Sequence, residues 1–241
     1  MKGFTMLNNI LKNKQIEQLD NGIYTVIEKE HRVSDYDDKV KGYDALIGNG
    51  LYNKLIWGND VKNYQDFCQE ALASAPDGVV LDAGCGSLVF TADVYAKSTN
   101  KFIVLLDRSM GMLERAKERL VEQCGEVPKH IILMQGDIFD LPFDDGSFDL
   151  VMSQGLLHMF DDKASFLAEI QRVKKENGYL SFTSLVGNNM LGRGYLKLLK
   201  KAGEVAVAYS SEELELILEK MPDNYEMKSI GNMAYIKSKF L

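Results

Sequence analysis

The residues best suited to chemistry in this chain come directly after short apolar runs. Val79-Val80-Leu81 ends in Asp82, with Gly84 and Gly86 one residue apart and Ser87 next. Phe102 to Leu106 ends in Asp107. Ile131 to Met134 leads to Gly136-Asp137-Ile138. Phe148 to Met152 ends in Ser153-Gln154, and His158 lies just beyond. An acid after a buried strand can accept both hydroxyls of a vicinal diol through its two oxygens, as in dinucleotide folds. Asp137 can accept from an exocyclic amine while the amide of Ile138 bonds a ring nitrogen. Glycines lack a Cβ, so they take strained φ/ψ and let a ligand approach the backbone. Such a loop commonly opens a helix whose first amides favour an anionic group. Together these residues describe a site for a nucleoside with a second polar group near Gly84. Among the three histidines, His158 is the candidate general base.

The elements that must carry these residues alternate. Asp60 is a good N-cap for a helix with the apolar stripe Val61, Tyr64, Phe67, Cys68, Ala71, Leu72 and Ala75. Pro76-Asp77-Gly78 ends it before the first strand. Phe90 to Ala96 reads as a helix. Ser109 can cap another that carries Met112, Leu113, Ala116 and Leu120. Asp162 opens a third with Phe166, Leu167, Ile170 and Val173, which Asn177-Gly178 stops before a strand over Tyr179 to Ser184. Strands alternating with amphipathic helices predict right-handed βαβ units and a parallel sheet covered on both faces. The tail differs. Asn189 to Lys201 reads as a helix, and Ser210 with Glu213 has capping-box spacing for another. Gly231-Asn232 between two strand-like runs is a hairpin signal. The expected fold is therefore a Rossmann-like, doubly wound, mostly parallel seven-stranded sheet that finishes with an antiparallel hairpin.

The first part of the chain is less regular. Leu7, Ile10 and Leu11 share one face of a short helix. Ile23 to Ile27 reads as a strand or as part of a helix. Tyr36, Val40, Tyr43, Leu46 and Ile47 recur at helical spacing until Gly48-Asn49-Gly50 breaks it. We divide the chain into a helical lid or extension, residues 1–75, and a nucleotide-binding domain, residues 76–241.

Composition bounds the function. Hydrophobic residues are 46% and charged residues 26%, the mix of a globular protein with a sizeable core. The formal net charge is −7, from 35 acids and 28 bases, which argues against a dedicated nucleic-acid binder. Three scattered cysteines form neither a disulfide framework nor a zinc spacing, so a reducing cytoplasm is the expected compartment and no metal is expected. The N-terminus shows no signal-peptide core, and no apolar run approaches the ~18 residues that span a bilayer.

Several of these stretches carry a family resemblance. Val79 to Ser87 resembles motif I of the class I S-adenosylmethionine-dependent methyltransferases, and Leu105-Leu106-Asp107-Arg108-Ser109 with Met112-Leu113 resembles their second motif. Gln135-Gly136-Asp137-Ile138, followed by Leu141 to Val151, is similar to the branch that includes the ubiquinone and menaquinone C-methyltransferases. Leu157-His158 and Arg172 to Leu180 continue the match, which covers about residues 76–185. Tyr43-Asp44, Gly50-Leu51 and Trp57 resemble the segment that covers the cofactor in that branch.

The resemblance implies S-adenosylmethionine as cofactor and a small-molecule methyl acceptor; the sequence leaves the oligomeric state open between monomer and homodimer. The resemblance places Gly84 and Gly86 around the methionine moiety, with Asp82 helping to organise that loop and the amino group. Asp107 would take the ribose, Arg108 and Met112 would flank the adenine, and Asp137 would take its amine. Ser153 and Gln154 would stand near the sulfonium, and Tyr43 near the carboxylate. The inserts around 186–210 would help roof the acceptor pocket. One departure stands out: Leu88 occupies the position of the family's third glycine, so the loop should be rearranged there with binding retained. A nicotinamide-type oxidoreductase on a similar sheet and a non-catalytic cofactor sensor are the alternatives. The first gives Gly136-Asp137 no role, and the second would show an occluded acceptor pocket.

Overall fold

A computed structural model describes residues 2–12, 15–33, 40–207, 209–221 and 223–239, with residues 2–4, 41 and 43 described by their backbone alone. The chain begins with α1 (Lys2–Asn8), two short strands, β1 (Glu17–Gln18) and β2 (Tyr24–Thr25), then α2 (Val40–Ile47) and α3 (Gly50–Tyr52). The latter runs into a π-helical turn, Asn53–Trp57. Then come α4 (Val61–Ala73), β3 (Val79–Ala83), α5 (Ala92–Ala96), β4 (Phe102–Asp107), α6 (Met110–Cys124), β5 (Ile131–Gln135) and β6 (Phe148–Ser153). The chain finishes with α7 (Lys163–Val173), β7 (Lys174–Leu185), α8 (Met190–Lys201), α9 (Ser211–Leu218), β8 (Tyr225–Ile230) and β9 (Met233–Ser238).

One sheet holds all of these strands, in the order β1-β2-β5-β4-β3-β6-β7-β9-β8. The pairings from β5 to β7 are parallel. The last two strands run antiparallel through the expected hairpin at Gly231-Asn232. The seven expected strands are all present. The extension adds two more, so it is part strand rather than wholly helical. Tyr24 and Thr25 pair in parallel with Met134 and Gln135. They cover the edge that β5 would otherwise leave open, and a side-chain bond from Thr25 Oγ1 to Gln135 Oε1 at 3.0 Å pins them there.

Alternation along the strands explains the two-faced core. Leu81, Val104 and Leu106 pack with Phe166, Ile170 and Leu214 on one face. Val80, Ile103 and Leu105 pack with Cys68, Leu72, Leu113 and Leu120 on the other. Successive side chains point to opposite faces, and helices cover both, which is why these runs are continuously apolar.

The caps fall where the sequence puts them. Asp60, Ser109 and Asp162 each accept a backbone N–H in the first turn of their helices, and Ser210 with Glu213 closes both halves of its capping box. Two boundaries move. Phe90 stays in the loop with its ring stacked on Tyr64, centroids 4.8 Å apart, so α5 starts later than expected. Asn177-Gly178 does not stop α7. The helix ends at Val173, and both residues lie inside β7, beside a register shift between Phe148 and Leu150. A Cβ on Gly178 would stand 2.9 Å from the Phe148 carbonyl oxygen, so the glycine answers to a close strand approach.

Candidate active site

The chain order changes direction around β3. From there it builds outward to β4 and β5, then returns to β6 on the other side. The carboxyl ends flanking such a switch point are where open α/β sheets bind ligands. A cavity of about 690 Å³ lies there, lined by the glycine loop, Asp107 to Ser109, Met112, Gly136 to Phe139, and Gln154 to Phe160 except Leu157. That volume is within the range of small-molecule sites, roughly 300–1,000 Å³.

The glycine loop is held from below. The amides of Gly84 and Cys85 both donate to the Leu106 carbonyl, at 2.7 and 2.9 Å. Gly86 N–H donates to Asp107 Oδ2 at 2.8 Å, and Ser109 N–H to Oδ1 at 2.9 Å. Asp107 thus fixes the loop and the start of α6. An ionised carboxylate oxygen can accept more than one hydrogen bond. Gly84 and Gly86 take φ of 78° and 59°. A Cβ on Gly84 would fall 2.2 Å from Leu156 Cδ2, whereas one on Gly86 would meet nothing within 4 Å. The first glycine packs against the cavity's far wall, and the second leaves room for a ligand.

Leu88 meets the missing third glycine in a specific way. It adopts φ 56°, the left-handed conformation that an L side chain resists, and its side chain is buried in the α4–α6 core face. The core contact of the leucine offsets backbone strain of about 1–2 kcal/mol.

Asp82 is nine-tenths or more buried and does not line the cavity. Tyr95 Oη donates to its Oδ2 at 2.6 Å, while Oδ1 has no partner. Burial pushes its carboxyl up to about 6, the Tyr95 bond pulling weakly the other way. Ser153 is also buried behind the wall, its hydroxyl unpartnered. The geometry therefore gives Asp82 and Ser153 places beneath the loop, whereas Gly84, Gly86, Ser87, Asp107, Arg108, Met112, Gly136, Asp137, Ile138, Gln154 and His158 come together on the cavity. Tyr43 sits on α2, and its side chain lies outside the described residues.

Two cavity residues carry polar atoms that the protein leaves unpaired. Arg108 Nη1 and Gln154 Nε2 are buried and make no hydrogen bond. A buried donor without a partner costs about 1–3 kcal/mol. Both are donors on the wall of a nucleoside-sized cavity, so they fit a ligand rich in acceptors, as a nucleoside with a carboxylate is. The unpaired Asp82 Oδ1 below the glycine loop suits a cationic group nearby.

His158 differs from the expected base. The Leu185 amide donates to its Nδ1 at 3.2 Å. A neutral ring that accepts at Nδ1 carries its proton on Nε2, which makes Nε2 a donor. Burial, with a smaller contribution from Lys163, lowers its pKa to about 3. The imidazole stays neutral near pH 7 and offers a hydrogen bond instead of taking a proton.

The other half of the cavity is apolar and aromatic: Trp57, Tyr64, Phe90, Met159, Leu185 and Met233. Trp57 packs edge-on to Tyr195 of α8 at 5.4 Å. The insert thus supports the roof from behind, and none of the described residues of 186–210 lines the cavity. Apart from Trp57, which lies in the stretch resembling the family's covering segment, the roof residues have no motif in the sequence. Their only signal was aromatic side chains in the segment before β3 and in the loop after it.

Comparison with known proteins agrees with this geometry. Residues 81–182 match the family described as "Methyltransferase domain". That match, together with the sequence relatives and fold neighbours, supports a class I S-adenosylmethionine-dependent methyltransferase domain. The chain is 34% identical over 147 residues to the demethylmenaquinone methyltransferase of Corynebacterium glutamicum, which covers 61% of this chain and 56% of that protein. It is 25% identical over 196 residues to an uncharacterized chloroplastic methyltransferase of Arabidopsis thaliana, covering 80% of this chain and 55% of that one. The chain thus spans about half the length of these curated relatives. A Thermotoga maritima protein described as an S-adenosylmethionine-dependent methyltransferase, possible histamine N-methyltransferase, superposes with a TM-score of 0.60 at 20% identity, over 86% of this chain and 98% of that one. That likeness shows the fold. The family match supports S-adenosylmethionine as the cofactor of this domain. Among the described residues, no helix is long and apolar enough to cross a membrane.

Proposed function

We propose that the chain transfers a methyl group from S-adenosylmethionine to an uncharged small molecule in the cytoplasm. The observation that carries this reading is the division of one cavity into two chemistries. One half offers polar groups fixed to strand ends, and the other offers aromatic and aliphatic walls with the neutral His158. On this reading Asp107 holds the ribose hydroxyls and Asp137 the adenine amine. Met112, Arg108 and Ile138 flank the base, and Gly84 and Gly86 border the methionine moiety. Asp82 and Ser153 act from beneath, and within residues 1–75 the segment 40–57 forms the lid, while β2 and α4 pack on the sheet.

The sulfonium supplies an already activated methyl group. The protein's part is alignment of the acceptor in a water-poor pocket. Among the described residues, no group on the acceptor side is suited to remove a proton. Tyr64 is pushed well above the usual phenol range by burial, and His158 donates. The acceptor is therefore one whose attacking atom is nucleophilic without help, and His158 Nε2–H steadies an oxygen on it. The pocket walls and the acidic net charge favour such a compound over nucleic acid.

Calorimetric titration with S-adenosylmethionine, S-adenosylhomocysteine and NAD tests the cofactor half. Saturable binding of both sulfur nucleosides and none of NAD is expected, and binding of NAD alone would overturn the reading. Incubation with labelled S-adenosylmethionine and a panel of neutral aromatic and aliphatic acceptors tests the rest. Transfer only to charged acceptors would contradict it.

A further inference from the structure

A buried charge cluster fastens the roof to the glycine loop. Asp44, on α2, is 7% exposed. Its Oδ2 accepts from Arg119 Nη2 at 2.6 Å and from Arg115 Nε at 3.5 Å. Its Oδ1 accepts from Arg119 Nη1 at 3.3 Å and from the Ser87 hydroxyl. Arg119 Nη1 also donates to the Ser87 carbonyl at 2.6 Å. Both polar groups of Ser87 that can reach outward are therefore engaged by α2 and α6. Ser87 lies between Gly86, whose amide is on Asp107, and the strained Leu88. A shift of the Asp44–Arg119 pair is a shift of this loop.

The other end of α2 leads straight into the roof. Ile47, Asn53 and Trp57 all line the cavity. Asn53 Nδ2 donates to the carbonyls of Ile47 and Asn49, at 2.6 and 3.0 Å, which locks the turn after α2 to the π-helical segment. A continuous, hydrogen-bonded path therefore runs from the cofactor loop through Ser87, Asp44 and α2 to Asn53 and Trp57 above the acceptor half.

We propose that Asp44 is a positioning residue that couples cofactor seating to closure of the acceptor roof. The proposal rests on the cofactor reading of the glycine loop given above. When the cofactor orders Gly86 and Ser87, Asp44 and Arg119 find their partners in place, and α2 with Asn53 and Trp57 is drawn over the pocket. By linkage, an ordered roof tightens the cofactor site by the same factor. Asp44 touches neither reactant. Its effect passes through Ser87 on one side and the roof on the other.

The test uses Asp44→Asn, which keeps shape and removes charge, with Arg119→Gln and the double variant. The probes are S-adenosylhomocysteine binding by calorimetry and hydrogen exchange over residues 40–57, with β3 and β4 as the internal control. Wild type should bind, and the ligand should slow exchange in residues 40–57. Each single variant should bind roughly tenfold more weakly, within the 5–150-fold range usual for coupled sites. In both, ligand protection of residues 40–57 should be lost while β3 and β4 remain protected. The double variant should be no worse than the worse single one, because both remove one linkage. If Asp44→Asn remains folded, binds within twofold of wild type and shows full ligand protection of residues 40–57, the latch is wrong. General loss of protection in β3 and β4 would assign Asp44 to stability alone and also overturn it. No binding by the wild type would overturn the cofactor reading, and the latch with it.

Discussion

The two halves of the cavity are built on different principles. The cofactor half hangs on strand ends, with each group set by a backbone bond: Gly86 on Asp107, Ser109 on Asp107, Phe139 on Asp137. The acceptor half is assembled from side chains far apart in the chain, from Trp57 and Tyr64 to Leu185 and Met233, held by aromatic and aliphatic packing. The first is polar, and its shape is dictated by local hydrogen bonds. The second depends on how separate elements meet, so its shape can vary without disturbing the sheet. A common donor site with an adjustable acceptor site is the expected consequence.

The sharpest way to break this division is to fill the space beside Gly86. Gly86→Val puts a branched side chain at φ 59°, facing the cavity. Binding of S-adenosylhomocysteine should fall by more than ~100-fold, with a stability loss of only about 1–3 kcal/mol from the strained backbone. Calorimetry beside a thermal melt checks both, and retained binding would remove the loop from the site.

Asp82 tests the support beneath the loop. Its folded pKa, about 6, lies above the ordinary 3.8 because of burial. A raised folded pKa gives stability that is present below the unfolded value and lost as pH rises through the folded one. Going from about pH 4 to pH 7 should cost up to about 3 kcal/mol through this group. Asp82→Asn should abolish that loss in urea unfolding. An identical pH slope in the variant would show that Asp82 is not desolvated as described.

Much of the cavity's polar half was legible in the sequence as a set of strand-end residues, and the reason is physical. A glycine pair after an apolar run, an acid after the next run and a third acid after the next are consequences of parallel strands ending at one edge. Local rules sufficed for Asp107, Gly136 and the caps Asp60, Ser109 and Asp162. They failed where tertiary packing decided. Asn177-Gly178 looked like a helix stop and is a strand passing close to Phe148. The edge strand at Tyr24–Thr25 depended on the open side of β5. His158 looked like a base because its ring was visible in the sequence and its neighbour, the Leu185 amide, was not. Phe90, Tyr64 and Met233 had no pattern that would have placed them on one wall.

Leu88 lies where the two halves meet. Leu88→Gly relieves the left-handed strain while removing a buried side chain from the α4–α6 core face. The net cost should be about 1–2 kcal/mol, less than the 2–5 kcal/mol usual for truncating a buried leucine. Leu113→Ala in the same face is the control by chemical denaturation. An equal or larger loss at Leu88 would mean that its backbone is unstrained.

On the acceptor side the expected effects are smaller and selective. Phe90→Leu removes the stack on Tyr64, worth about 0.5–1.5 kcal/mol. It should raise the acceptor KM several-fold while S-adenosylhomocysteine affinity stays within about twofold. Loss of nucleoside affinity would erase the boundary between the halves. Because His158 is held neutral, with a pKa near 3, the wild-type rate should show no limb from this group between about pH 5.5 and pH 8. A limb that vanishes in His158→Gln would restore it as a base.

The account stands on Asp107 as the hinge of the cofactor half. The direct measurement is titration of S-adenosylhomocysteine into wild type and Asp107→Ala, with circular dichroism to verify the fold. We predict one-site saturable binding to the wild type and a loss of at least about 100-fold in the variant, since it removes the anchor of the Gly86 amide and, on the proposed reading, the acceptor of two ribose hydroxyls. Equal affinity in the two folded proteins would contradict the placement of the cofactor on this cavity.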